Sequence, residues 1–144
     1  MRITFLFPSA LLLALTSCDQ VGPGPSLSHA AAWNMCGPAD GPATVVVLAN
    51  ERVQLDEPSF PSVEIMILQS VSAIGGRTWN LNGDSASASY ATRLHTEPVT
   101  AGTVTITSVD SAKTVRGSLS AHFGSRIIEM DFTAPWLEHS VLCP

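Results

Sequence analysis

The sequence predicts an all-β fold, an antiparallel β-sandwich of about seven strands with a C-terminal meander. From residue 43 onward apolar and polar side chains alternate with a period of two, which is typical of strands with one buried face. β-Branched residues fill these runs, and Gly, Pro, Asn and Asp separate them. The predicted strands cover residues 43–50, 62–70, 77–82, 85–94, 102–109, 114–123 and 126–134.

The last three strands form a meander whose register is set by the lengths of its turns. A two-residue turn at 124–125 and a four-residue loop at 110–113 bring apolar residues to one face and polar residues to the other. Glycine at the first turn position favours a type II′ turn. The predicted pairs are Ala121 with Ile128, Leu119 with Met130, Gly117 with Phe132, Ser118 with Asp131, Val104 with Leu119, Ile106 with Gly117 and Thr107 with Arg116.

Two earlier runs, 45–48 and 65–68, are apolar throughout instead of alternating. Such runs predict central strands that are covered on both faces. No segment has the period of an amphipathic helix over more than one turn. A sandwich and a small closed β-barrel both satisfy these patterns, and the sandwich is the first choice.

The N-terminus predicts export. Arg2 precedes an apolar run over 3–15 that is too short to cross a bilayer and is typical of a secretory signal. Residues 15–18, Leu-Thr-Ser-Cys, resemble the lipobox of bacterial lipoproteins. In that family the cysteine is acylated and the chain is cut before it. The resemblance therefore implies a signal peptide over 1–17 and a lipid anchor on Cys18.

A segment rich in Gly and Pro follows and predicts a flexible linker over 18–32, because these residues interrupt helices and strands. Residues 33–144 then form a single all-β domain. Arg2 is the only charged residue of 1–17, so the mature chain has a net charge of −6. An acidic body is repelled by anionic lipid, so the anchor is expected to hold the protein without help from its surface.

Two cysteines remain once the lipobox assigns Cys18 to a lipid. Cys36 and Cys143 are an even pair in an exported chain, where disulfides persist, and we expect them to be bonded. A redox or metal pair would need a C-x-x-C motif or nearby histidines, and the sequence has neither. The segment from Cys36 to Ala43, the meander around Gly117 and the closing Cys143 are similar to a group of small envelope lipoproteins of bacteria. That resemblance implies no activity.

Composition and motifs disfavour several functional classes. Seven basic residues against twelve acidic ones, with a single lysine, argue against nucleic-acid binding. The four histidines have no short ligand spacing, so no metal and no cofactor is predicted. The polar face of the last hairpin holds a nucleophile, a base and carboxylates, but a flat strand face lacks the enclosed geometry of an enzyme. These side chains are Ser118, Ser120, His122, Glu129 and Asp131.

Trp33, Trp79 and Trp136 are the candidate binding residues, either packed in the core or forming an exposed aromatic rim for sugar, peptide or lipid. The sequence thus predicts a non-catalytic binding or structural module, lipid-anchored in the cell envelope or periplasm. It would reach the membrane through Cys18 and take an envelope protein or a glycan as its partner. The alternatives are a carrier of an apolar ligand in a barrel cavity and a small hydrolase built around His122 or His95.

Overall fold

Two antiparallel sheets pack face to face in the computed structural model, which describes residues 26–141 and 143. One sheet has five strands in the order β1-β2-β3-β5-β6, and the other has four in the order β4-β7-β8-β9. The sheets do not close into a barrel, so the predicted sandwich is confirmed. The strands are β1 (His29–Cys36), β2 (Pro42–Ala49), β3 (Ser62–Ile67), β4 (Arg77–Asn80), β5 (Ala86–Ala91), β6 (Thr96–Pro98), β7 (Ala101–Val109), β8 (Val115–Phe123) and β9 (Arg126–Ala134), with a short 3-10 helix over Val71–Ala73.

The hairpin of β8 and β9 has the predicted register along its whole length. Gly124 has a φ of +57° while Ser125 has no positive φ, as a type II′ turn requires. Gly117 lies opposite Phe132 on one side and Ile106 on the other, as predicted. A Cβ atom at Gly117 would collide with the carbonyl oxygen of Thr105 and lie 2.9 Å from Cζ of Phe132, so this position requires glycine.

The pairing of β7 with β8 follows the prediction only as far as Ile106. A β-bulge between Ile106 and Ser108 shifts the register, and Arg116 pairs with Ser108. The predicted pair of Thr107 with Arg116 is therefore wrong, because the bulge places one extra residue on β7. The Thr107 hydroxyl instead donates to the carbonyl oxygen of Arg116 at 3.0 Å.

Two strands were not predicted. β1 includes residues 29–32 of the predicted linker, and Ala31 and Ala32 are buried there. Alanines have low β-propensity, so this strand depends on its pairing with β2 from His29 to Cys36. The predicted strand over 85–94 ends earlier, at Ala91, and the chain turns back as the short strand β6.

The apolar run over 45–48 is covered on two faces, as predicted, whereas in the run over 65–68 Ile65 and Ile67 are buried but Met66 and Leu68 are only partly buried. In β2, Val46 and Leu48 point into the core between the sheets. Val45 and Val47 point to the outer surface, where they belong to a second apolar cluster. The inter-sheet core takes large buried side chains from both sheets, among them Phe123, Leu48, Ile65, Ile106 and Val104.

The C-terminal segment is fastened to β1. Ala32 donates its N–H to the carbonyl oxygen of Pro135 at 2.9 Å and accepts one from Leu137 at 2.7 Å, so the edges of the two sheets meet here. Further along, Cys36 and Cys143 form the predicted disulfide, with their Cα atoms 5.4 Å apart. The predicted signal peptide, the Cys18 anchor and the linker up to residue 25 lie outside the described residues. In the part of the chain that is described, no helix has the length and apolar character to cross a membrane.

Candidate binding groove

The outer surface of the five-stranded sheet carries a groove of about 470 Å³ beneath the loop over 50–61 that joins β2 to β3. We call it the β2–β3 groove. Its volume falls within the range of sites that hold small ligands or short peptide segments, about 300–1,000 Å³. The apolar side chains that line it are Trp33, Val47, Val53, Leu55 and Phe60.

The second apolar cluster explains why the loop folds over this face. The outer face of an antiparallel sheet is commonly polar, but here Ala31, Val45 and Val47 point outward. Val53 of the loop packs on them and keeps only 8% of its surface exposed. The loop is closed by hydrogen bonds of its own, from Gln54 Nε2 to Glu57 Oε2 at 3.1 Å and from Ser59 Oγ to the Arg52 carbonyl oxygen at 3.4 Å.

The charged side chains that line the β2–β3 groove are all acidic. Asp56, Glu57 and Glu64 are exposed along it, and among the described residues that line it there is no Lys, Arg or His. Ser62 and Ser89 also line the groove and contribute uncharged hydroxyl groups. An apolar floor with a carboxylate margin fits a ligand that combines apolar surface with positive charge.

The three tryptophans do not form one rim. Trp33 lines the β2–β3 groove and packs on the outer cluster. Trp79 and Trp136 pack against the core between the sheets. Each of these two lies beneath a cation, with Arg77 Cζ 6.0 Å from the Trp79 ring centroid and Lys113 Nζ 5.3 Å from that of Trp136. The aromatic contribution to the groove therefore comes from Trp33 and Phe60.

The polar face of the last hairpin brings together most of the residues weighed for catalysis. Ser118 lies opposite Asp131 and Ser120 opposite Glu129 on the outer surface of the four-stranded sheet. Ser120 Oγ lies 3.3 Å from Glu129 Oε1, and the hydroxyl donates to the carboxylate. His122 pairs with Ile127 and is exposed. No serine–histidine hydrogen bond occurs among the described residues of this face, and the partner of the Ser120 hydroxyl is a carboxylate.

Histidine and carboxylate meet at one other place, the turn between β5 and β6. His95 Nε2 is 3.5 Å from Glu97 Oε1, and its Nδ1 is 3.2 Å from the Thr92 hydroxyl. Arg126 also contacts Glu97, with its Nη1 3.2 Å from Oε2, and stacks 4.0 Å from the Tyr90 ring centroid. Within the described region no group of three or more side chains could hold a metal ion.

The β2–β3 groove was not predicted from the sequence. The signal was present in two places, the outward apolar residues of β2 and the apolar residues of a loop otherwise rich in Pro, Asp and Glu. Neither is informative alone, because the loop's apolar side chains have no period. Their meaning depends on the fold, which places the loop against the outer face of β2.

Comparisons of the chain with protein-family models, with curated proteins and with solved structures find no match. The β2–β3 groove is therefore interpreted from its own chemistry.

Proposed function

We propose that this protein is a lipid-anchored binding module of a bacterial cell envelope, and that it holds its ligand in the β2–β3 groove without catalysing a reaction. The observation that carries the proposal is the groove itself, a depression of about 470 Å³ that is lined by apolar and polar side chains and whose charged side chains are all acidic. The lipobox-like residues at 15–18 support the anchor on Cys18. The disulfide between Cys36 and Cys143 agrees with an oxidising compartment.

The ligand is a basic, apolar segment of a partner protein. Carboxylates on Asp56 and Glu64 attract and orient Lys or Arg side chains, which raises the association rate and sets the direction of binding. The apolar floor around Val47 and Trp33 contributes affinity through burial of the segment's apolar side chains. A groove open along one side suits an extended segment better than a compact molecule that needs enclosure.

The two alternatives have less support. A carrier of an apolar ligand would hold it between the sheets, where the described residues form a packed apolar core. A hydrolase built around His122 or His95 needs a nucleophile in contact with that histidine, and the described residues show no serine–histidine hydrogen bond, while the Ser120 hydroxyl donates to the Glu129 carboxylate.

Binding of a labelled peptide of alternating leucine and lysine to the full acylated protein, in a non-ionic detergent, tests the proposal. Changing Asp56→Asn together with Glu64→Gln should weaken binding by about tenfold, because two favourable charge interactions are lost. The matched control, Glu129→Gln with Asp131→Asn, removes the same charge from the other sheet and should leave affinity nearly unchanged. Equal weakening by both double variants, or no weakening by the first, would exclude the groove as the site.

A further inference from the structure

The strand register places three connections and the start of β1 at one end of the sandwich. His29 pairs with Ala49, Ala49 with Ser62, Ser62 with Ala91, and Ala91 with Thr96. The connections are the loop over 50–61, the turn over 92–95 and the turn at 124–125. The last is placed here because Arg126, which follows it, contacts Glu97 and Tyr90. We call this end the proximal end.

A rigid turn at the proximal end presents a leucine to solvent. Thr92 donates its N–H to the carbonyl oxygen of His95 at 2.9 Å. The Thr92 hydroxyl accepts the N–H of Leu94 at 3.3 Å and that of His95 at 3.2 Å. The Leu94 side chain at the apex of this turn is 94% exposed. Ile127, the second residue of β9 after the turn at 124–125, is 57% exposed, so two of the three large apolar side chains that are exposed in the described residues lie at or beside this end.

We infer that the proximal end faces the membrane that carries the lipid anchor, and that Leu94 inserts into the interfacial layer of that bilayer. The inference rests on the anchor of the proposed function and is independent of what the β2–β3 groove binds. The partner is a lipid surface, recognised by an apolar tip between two basic side chains.

The position of the anchor relative to the fold supports this orientation. Leu27 is 7% exposed and belongs to the inter-sheet core, so it fixes the place where the chain enters the domain, next to the start of β1. Cys18 lies eight positions before Ser26. Eight residues span at most about 29 Å, comparable to the length of the sandwich itself. Because β1 begins at the proximal end and Leu27 is held beside it, the chain from Cys18 enters the domain at this end.

The side chains that flank Leu94 suit a lipid headgroup layer. Arg93 and His95 are exposed on either side of it, and an arginine can keep its guanidinium among phosphates while its stem lies on apolar surface. The net charge of the mature chain had led to the opposite expectation, that the surface stays off the membrane. Net charge averages over every face, and charges more than about 8–10 Å apart are largely screened at physiological salt. The loop over 50–61 brings the exposed Glu51, Asp56 and Glu57 to the same end. Contact there therefore depends on Leu94 and Arg93 and not on a basic surface.

One leucine decides orientation only because the anchor has already brought the domain to the bilayer. Burial of a leucine side chain favours the docked state about ten- to a hundredfold. For a free domain this would give negligible binding. The anchor already holds the domain at the bilayer, so the same factor acts on orientation alone and favours the orientations in which Leu94 reaches the lipid.

The experiment uses the full acylated protein in phosphatidylcholine vesicles that contain nitroxide-labelled lipid. Ser125→Cys places a fluorescent label at the proximal end, and Ser111→Cys places the same label in the loop between β7 and β8 at the opposite end. Cys36 and Cys143 are bonded to each other and do not react. Nitroxide quenching at position 125 should exceed that at position 111 by several-fold. Adding Leu94→Asn should lower quenching at 125 towards the level at 111.

Three results would overturn the inference. Equal quenching at the two positions would show that the domain has no preferred orientation. Quenching at 125 that is unchanged by Leu94→Asn would show that Leu94 makes no contact with lipid. An N-terminal peptide whose mass shows Cys18 without acyl chains would remove the anchor, and peptide binding by the β2–β3 groove would then stand or fall separately. Leu94 is fully exposed, so a thermal melt should show that Leu94→Asn folds as the wild type does.

Discussion

The strands within the two sheets of this sandwich are connected in different ways. Three strands of the four-stranded sheet, β7, β8 and β9, follow one another along the chain and are joined by short turns. The five-stranded sheet is assembled from distant segments, since β3 pairs with β5 only after the chain has crossed to the other sheet to form β4. Its edge strand β1 is secured by the C-terminal segment and by the disulfide to Cys143.

The two sheets also differ in the outer surfaces that they present for binding. Short turns leave the outer face of the four-stranded sheet largely polar, as in the row of Thr105, Ser118 and Asp131. The five-stranded sheet has a long loop and outward apolar side chains, and these create the β2–β3 groove. The binding surface of this sheet therefore comes from the long connection between β2 and β3 and from the outward apolar side chains on which it packs.

The largest expected effect comes from the disulfide, which ties the edge strand β1 of the five-stranded sheet to the segment that follows β9. Replacing both Cys36 and Cys143 with alanine removes a covalent link across 107 positions and should lower the free energy of unfolding by about 2–5 kcal/mol. Trp33 lies three residues from Cys36 and lines the groove, so binding of the leucine–lysine peptide should weaken as well. Chemical denaturation and peptide titration measure the two effects. A loss below about 1 kcal/mol would show that hydrogen bonds to β1 hold the edge without the disulfide.

The next effect is on the four-stranded sheet. Gly117→Val should destabilise the protein by about 1–3 kcal/mol, because the new side chain meets the Thr105 carbonyl oxygen and the Phe132 ring. Strand propensity alone predicts the opposite sign, since valine favours strands more than glycine does. Thr103→Val is the matched control, an exposed change on the outer face of the neighbouring strand, and should change stability by less than about 0.5 kcal/mol. Equal thermal stability of Gly117→Val and wild type would contradict the close approach of the strands at this point.

The same contrast explains what the sequence predicted and what it did not. The β8–β9 register followed from a two-residue turn and a period of two, because pairing between adjacent segments is determined by turn length. The disulfide followed from counting cysteines. β1 was missed because its alanines carry no local signal, and its strand conformation comes from pairing with β2.

Two features of the structure could not be predicted from the local sequence pattern. The bulge after Ile106 changes the pairing of a single residue without altering the alternation that a sequence shows. The groove depends on where a loop of 50–61 lies in space, and on Val53 meeting Val45 and Val47 across the sheet surface. Trp33 was predicted as a candidate binding residue together with Trp79 and Trp136. Only the fold shows that Trp33 lines the groove, whereas the other two pack against the core.

The smallest effect is confined to the loop between β7 and β8 and depends on pH. Asp110 Oδ1 accepts the N–H groups of Thr114 at 2.9 Å and Ala112 at 3.0 Å, and Oδ2 lies 3.2 Å from Arg116 Nη1. The Thr114 N–H, with help from Arg116 and Ala112, holds the pKa of the Asp110 carboxyl below its ordinary value, and partial desolvation opposes this shift.

A lowered pKa means that the ionised carboxylate stabilises the folded state, and this contribution is present above the unfolded pKa of about 3.9. It is lost as the pH falls through the lower pKa of the folded protein. Asp110→Asn should therefore melt at a lower temperature than the wild type near neutral pH, and the difference should shrink as the pH falls below about 4. Melting curves across this range measure it, with Asp131→Asn, an exposed change on the same sheet, as the control. If the Asp110→Asn difference stayed constant down to the acid limit, geometry and not charge would account for the role of Asp110. Because the effect is confined to this loop, Asp110→Asn should leave peptide binding by the β2–β3 groove on the other sheet unchanged.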